Sequence, residues 1–261
     1  MKFLIVGDVV AKPGRAVLME CLERVQDEYE IDATIVNIEN AAAGFGITRK
    51  LVDQFNEMNI DVMTSGNHIW DKREVLDFID DTPNLLRPHN YPEGTPGSGW
   101  GVYTSRSGVR FGVLNMMGQA FMHPPLDSPF VCVDQTLAQK PDDVSIVIVD
   151  YHAETTSEKV GLGWYLDGRV SVVVGTHTHI PTADERILPE GTAYVTDLGM
   201  TGCYDSVIGS DVKMVLQRMV HKLPARLEPA KGKGSLCGVV VEVDPGNGQA
   251  RSIERIRIEQ M

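Results

Sequence analysis

Five short β-branched runs, each closing on a cluster of polar residues, constrain the fold of this chain more than any other feature. Phe3-Leu-Ile-Val6 is followed by Gly7-Asp8, residues 33–38 by Glu39-Asn40, and residues 61–65 by Gly66-Asn67-His68. Residues 144–149 lead into Asp150-Tyr151-His152, and residues 170–174 into Gly175-Thr176-His177-Thr178-His179. Near-continuous apolar runs of this length read as strands buried on both faces. Helical spacing separates the first of them, in Val17, Leu18, Cys21, Leu22 and Val25, then in Leu51, Phe55 and Met58, with Thr48 placed to cap the second helix. Strand alternating with helix predicts an α/β layered domain with crossover connections.

Further strands are predicted at 109–115, 191–196 and 236–243. The last, with the alternating polar and apolar residues of 253–258, predicts antiparallel strands that finish a second sheet. Between about 70 and 105, Pro83, Pro88, Pro92 and Pro96 with several glycines predict a loop-rich rim or small cap. A length of 261 residues suits one domain over 1–261, and two packed β-sheets flanked by helices is the expected architecture.

The formal net charge of −12 argues against a tight, non-specific grip on nucleic acid, which depends on Lys and Arg neutralising phosphates. It leaves room for a small phosphate ester, because bound cations invert the local field of a site. The first apolar run spans four residues, too short for a signal-peptide core or a membrane span, so a cytoplasmic protein with no membrane partner is expected. Cys21, Cys132, Cys203 and Cys237 are scattered without paired spacing, and reduced thiols are the simplest reading.

In open α/β sheets, ligands bind beyond the carboxyl ends of the strands. Asp8, Glu39, Asn40, Asn67, His68, His152, His177 and His179 all fall at such ends. Taken singly, each cluster also reads as a turn, a cap or a core histidine. Converged, two carboxylates, two amides and several imidazoles are too much polarity to bury without a cation. Imidazole suits zinc, iron, copper or nickel, and carboxylate and amide oxygens suit harder ions such as manganese. So many ligands suit two ions that share a carboxylate, an arrangement that can activate water for in-line displacement at phosphorus. In an extended segment, residues i and i+2 point to one side, which would aim both His177 and His179 at the site.

These residues resemble the calcineurin-like metallophosphoesterases in Gly66-Asn67-His68, His152 and Gly175-Thr176-His177-Thr178-His179. They depart from that pattern at Asp8-Val9-Val10, which lacks a histidine, and at Glu39, which stands where an aspartate bridges. The whole chain resembles the narrower YmdB-like branch, in residues 36–46, 64–70, 175–179 and 196–202. The resemblance implies a dinuclear site in which Asp8, Glu39, Asn40 and His179 hold one ion and Glu39, Asn67, His152 and His177 the other. Iron is the first expectation, with manganese, zinc or magnesium as alternatives. It further implies a bridging hydroxide nucleophile, His68 as general acid, cyclic-nucleotide or related phosphodiester substrates, and a homodimer or homotetramer. A phosphomonoesterase, such as a nucleotidase or protein phosphatase, is the second reading on the same site, and a nucleotide-sensing regulator with little turnover the third. A capsule-synthesis branch shares the Gly-Asp and Asn-x-Glu motifs, but its members typically carry a signal or anchor. Phe45, Trp70 and His123 are candidates either to contact a base or to pack.

Overall fold

The computed structural model describes residues 1–260. The first half of one sheet is the expected alternation: β1 (Lys2–Val6), α1 (Ala11–Glu28), β2 (Ala33–Asn37), α2 (Arg49–Asn56) and β3 (Val62–Thr64). β1, β2 and β3 are parallel neighbours. A second sheet follows, from β4 (Trp100–Thr104), β5 (Arg110–Met117), β6 (Ile146–His152), β7 (Val172–Thr176), β8 (Arg186–Ile187) and β9 (Ala193–Val195). Its order is β4-β5-β6-β7-β9-β8, with β5, β6, β7 and β9 parallel. Helices α3 (Pro129–Ala138) and α4 (Thr156–Tyr165) make its crossovers, and α5 (Val212–His221) precedes the last strands, β10 (Ser235–Val243) and β11 (Ala250–Glu259).

The side-chain period of two explains the layers. Phe3 and Ile5 face Phe111, Val113, Ile146 and Ile148 in a core between the sheets, where the rings of Phe3 and Phe111 meet edge to face at 5.2 Å. Their neighbours Leu4 and Val6 point the other way, onto Val17, Leu18, Val52 and Phe55 of α1 and α2. On the second sheet, Leu114, Val147 and Val149 turn outward onto Val133 of α3 and Leu162 of α4. Each such fully buried side chain contributes roughly 1.5–3 kcal/mol by its removal from water. The order is therefore helices, sheet, sheet, helices, as expected from the sequence.

Three expectations change in detail. β10 and β11 are antiparallel but complete the first sheet, in the order β11-β10-β1-β2-β3. β10 is buried on both faces, which suits a place beside β1, whereas β11 exposes Arg251, Glu254, Arg255, Arg257 and Glu259, as an edge strand does. Thr48 stands at the start of α2, but its side chain makes no capping hydrogen bond. The proline-rich stretch contains a 3₁₀ turn at Arg73–Asp77 and ends in β4, and it sends Leu85 and Leu86 into the two cores. Buried Arg87 ties it together by donating to the carbonyls of Pro88, Thr95 and Pro96. The four cysteines are free. Among the described residues, no helix is long and apolar enough to cross a membrane.

Candidate metal centre

Because β1, β2, β3, β6 and β7 are parallel within their sheets, their carboxyl ends bring the polar clusters together. His152 is the pivot. Its Nδ1 lies 2.9 Å from Thr176 Oγ1, whose hydroxyl donates to buried Asp150 at 2.7 Å. With that hydroxyl proton committed to Asp150, Thr176 accepts from Nδ1, and Nε2 is left for the site. Three groups crowd that nitrogen: Asn67 Oδ1 at 3.0 Å, His177 Nδ1 at 3.0 Å and Glu39 Oε1 at 3.1 Å. One proton cannot serve three acceptors.

Glu39 lies at the junction of two groups. On one side it meets His152, with Asn67 and His177 beyond. The same Oε1 that meets His152 also accepts from Asn40 Nδ2 at 3.1 Å, and that amide is 3.2 Å from His179 Nε2. Asp8, fully buried, accepts the His177 backbone N–H through Oδ2. Its Oδ1 lies 3.9 Å from both His152 Nδ1 and His179 Nε2 and has no hydrogen-bond partner. A buried carboxylate oxygen left without a donor is costly, and a cation satisfies it. The donor set therefore fits metal ions, and the ligand atoms of Glu39, His152 and His177 lie within 4.8 Å of one another.

The charges reflect the crowding. Burial opposes the charge on Glu39, but His152 and then His68 hold its carboxyl down at about 2. Burial pulls His152 down, yet Glu39, Asp8 and Asp150 outweigh it and hold the imidazole up at about 9. Burial, with His152 beside it, pushes His177 down to about 3. Asp8 is raised, chiefly by burial. A cation taking Nε2 of His152 must therefore displace a proton, so metal affinity should rise with pH from neutrality toward about 9. For a single proton the expected gain is up to about tenfold per pH unit. Titration calorimetry in buffers of different ionisation enthalpy should show the proton released; a pH-independent affinity would contradict this role for His152.

His177 lies against His152 and His179 against Asn40, but strand alternation is not what brings them there. β7 ends at Thr176, and both histidines have left-handed backbone, φ 93° and φ 66°, so they converge through a turn and not through strand alternation. Asp197, fully buried, braces this turn by accepting from the Thr178 hydroxyl and backbone and from buried Lys159. His68 stands apart from the imidazole cluster. Its backbone N–H donates to Glu39, and its Nδ1 meets Asp71 at 2.9 Å, which leaves Nε2 on the pocket side.

Several contributors are not evident from sequence: Thr176, Asp150, Asp71, Asp197, and Glu154 at 3.0 Å from His177 Nε2. Asp197 lies within the 196–202 match, Thr176 within 175–179 and Asp150 in the cluster before His152, but their roles beside the histidines carry no local signal. Of the three aromatic candidates, Phe45 lines the pocket and packs edge to face on His68, with ring centroids 4.9 Å apart. Trp70 packs against Tyr91 and the core, and His123 is exposed away from the pocket.

The family model described as YmdB-like protein matches residues 4–256. A 2′,3′-cyclic-nucleotide 2′-phosphodiesterase of Bacillus subtilis (strain 168) is 48% identical over 258 residues, covering 99% of this chain and 97% of that protein. Among solved structures, a hypothetical protein of Thermus thermophilus superposes with a TM-score of 0.93 at 39% identity, covering 100% of both chains. A novel phosphatase from Mycoplasma pneumoniae gives 0.94 at 33% identity, covering 99% of this chain and 93% of that one.

Proposed function

The chain belongs to the YmdB-like protein family, and from that premise we propose that it is a metal-dependent phosphodiesterase hydrolysing 2′,3′- and 3′,5′-cyclic nucleotides at a dinuclear centre. The observation that carries this reading is the unsatisfied Asp8 Oδ1 beside an over-subscribed His152 Nε2, both buried behind a pocket that Glu39, Asn40, His177 and His179 line and no Lys or Arg does. Something other than a basic side chain must meet the phosphate there. Asp8, Glu39, Asn40 and His179 would hold one ion, and Glu39, Asn67, His152 and His177 the other, with iron the first candidate. Bound ions would supply positive charge to the phosphate oxygens and acidify water.

The chain's own residues supply orientation and a proton. Thr176 and Asp150 fix the ring of His152, and Asp197 holds the turn that aims His177 and His179. His68, anchored by Asp71 at Nδ1, directs Nε2 at the pocket, where its imidazolium can protonate the ribose oxygen released on ring opening. His68→Asn should lower kcat by about 10²–10⁴ with metal content unchanged. Loss of metal with this variant would make His68 a ligand and not an acid.

The reading is tested by comparing metal-loaded protein on 2′,3′-cyclic AMP, 3′,5′-cyclic AMP and p-nitrophenyl phosphate. Diester turnover well above monoester turnover supports it; the reverse order would make the protein a phosphomonoesterase, and tight nucleotide binding without turnover a sensor.

A further inference from the structure

Beside the metal-site pocket, of about 280 Å³, opens a larger cleft of about 1080 Å³. Phe45, Leu227, Glu228 and Pro229 line both, so the two are continuous. Their electrostatics are opposite. The small pocket carries Glu39, Glu154 and Glu228 and no Lys or Arg. The cleft is lined by Lys12, Arg15, Lys72, Arg218, Arg226 and Lys231, with Glu228 its one acidic residue.

Among the described residues, none of these six cations forms an ion pair; the chain's ion pairs use other lysines and arginines. Arg15 is held by donation from Nη1 to the carbonyl of Ala41, next to the Glu39-Asn40 ligand pair. Six unpaired cations around one cleft of a chain with net charge −12 form a strong local field, of the kind that draws in a polyanion.

Between the charges the cleft is apolar, at Pro13, Leu227 and Pro229, and Phe45 presents a ring that is 41% exposed where it joins the small pocket. A basic track with an aromatic platform is the combination that holds single-stranded nucleic acid. The cleft is also larger than one nucleotide needs.

We propose that the substrate extends beyond a mononucleotide, to a short RNA oligonucleotide ending in a cyclic phosphate. The terminal phosphate enters the metal-site pocket, the terminal base meets Phe45, and preceding phosphates lie along the cleft cations. This deepens the phosphodiesterase reading and rests on it. The overall acidity still disfavours binding along arbitrary nucleic acid; the cleft is a local exception that leads to one site.

The test compares kcat/KM for 2′,3′-cyclic AMP and for an RNA tetranucleotide ending in a 2′,3′-cyclic phosphate, at low and high salt. The wild type should favour the tetranucleotide by about tenfold or more at low salt, with the advantage shrinking as salt rises. In R218E/R226E/K231E the advantage should vanish while the rate on 2′,3′-cyclic AMP is kept. R218Q/R226Q/K231Q serves the same end should charge reversal harm folding. Equal rates on both substrates in the wild type, or an advantage that survives both variants, overturns the proposal.

Binding separates this from failure of the parent reading. A fluorescein-labelled tetranucleotide ending in a 3′-phosphate should bind the wild type about tenfold more tightly than either variant. If neither cyclic phosphate is turned over but that difference persists, the cleft assignment stands and the phosphodiesterase reading fails. Unchanged binding in the variants overturns the cleft assignment whatever the turnover.

Discussion

Replacing Glu39 with glutamine is expected to remove turnover of 2′,3′-cyclic AMP by on the order of 10³-fold and to leave the protein with less than one bound metal per chain. Glutamine keeps the volume, and its one oxygen can still accept from Asn40 or from the His68 backbone, so the fold should persist with one of the two bonds lost. The negative charge is what disappears. Glu39 is fully buried at the junction of the two ligand groups, with His152 against one oxygen and the His68 N–H against the other. His152 and His68 hold it ionised against the cost of burial, so the site is built around that charge. The measurement is metal content by elemental analysis, steady-state kinetics and circular dichroism on the same preparation. Wild-type turnover in a folded Glu39→Gln protein would remove the bridging role.

Gly66→Ala should be nearly as damaging, although alanine is neither polar nor large. A Cβ at this position would lie 2.2 Å from His152 Cδ2, 2.3 Å from its Nε2 and 2.4 Å from Glu39 Oε2. Neither neighbour can yield cheaply. His152 is pinned at Nδ1 by Thr176, and Glu39 is fixed by Asn40 and His68. Gly66 does not have the left-handed backbone that would itself reject a side chain, so the penalty falls on His152 and Glu39 and not on the local chain. Displacing reacting groups by about 1 Å costs about 10²-fold. A fall in kcat of at least about 100-fold is therefore expected, with near-normal circular dichroism. Activity within a few-fold of wild type would show that His152 and Glu39 are held more loosely than the packing implies.

The strand-end residues are legible in sequence because parallel, doubly buried strands announce themselves as continuous β-branched runs, and the chain must turn where the polar clusters begin. Asp8, Glu39-Asn40, Gly66-Asn67-His68 and His152 can be found that way. For His177 and His179, strand alternation gives the wrong geometry, since the left-handed turn that brings them together depends on Asp197, well beyond them in the chain. The membership of β10 in the first sheet is hidden because its pairing with β1 is non-local: Leu4 lies opposite Val240. Thr176 and Asp150 fall within the quoted clusters, but their role is hidden, because a threonine and an aspartate at strand ends look like ordinary turn residues until the ring of His152 is seen beside them.

The basic cleft is concealed by the same averaging. Its cations stand at positions 12, 15, 72, 218, 226 and 231, never as a run, and they vanish into a net charge of −12. Gly46 contributes to its assembly: with φ 79° and a Cβ position 2.9 Å from Lys72 Cγ, it lets the loop that carries Phe45 close onto Lys72. Composition argues against a nucleic-acid-coating surface while saying nothing about a single charged groove.

The central claim, a two-metal phosphodiesterase site at the strand ends, is met most directly by one titration. Purified protein is stripped with a chelator, its hydrolysis of 2′,3′-cyclic AMP is followed as iron or manganese is returned, and bound metal is counted at each point. The expected result is loss of turnover on stripping and recovery that saturates at two equivalents per chain. Full turnover in the metal-free protein, or recovery complete at one equivalent, would contradict it.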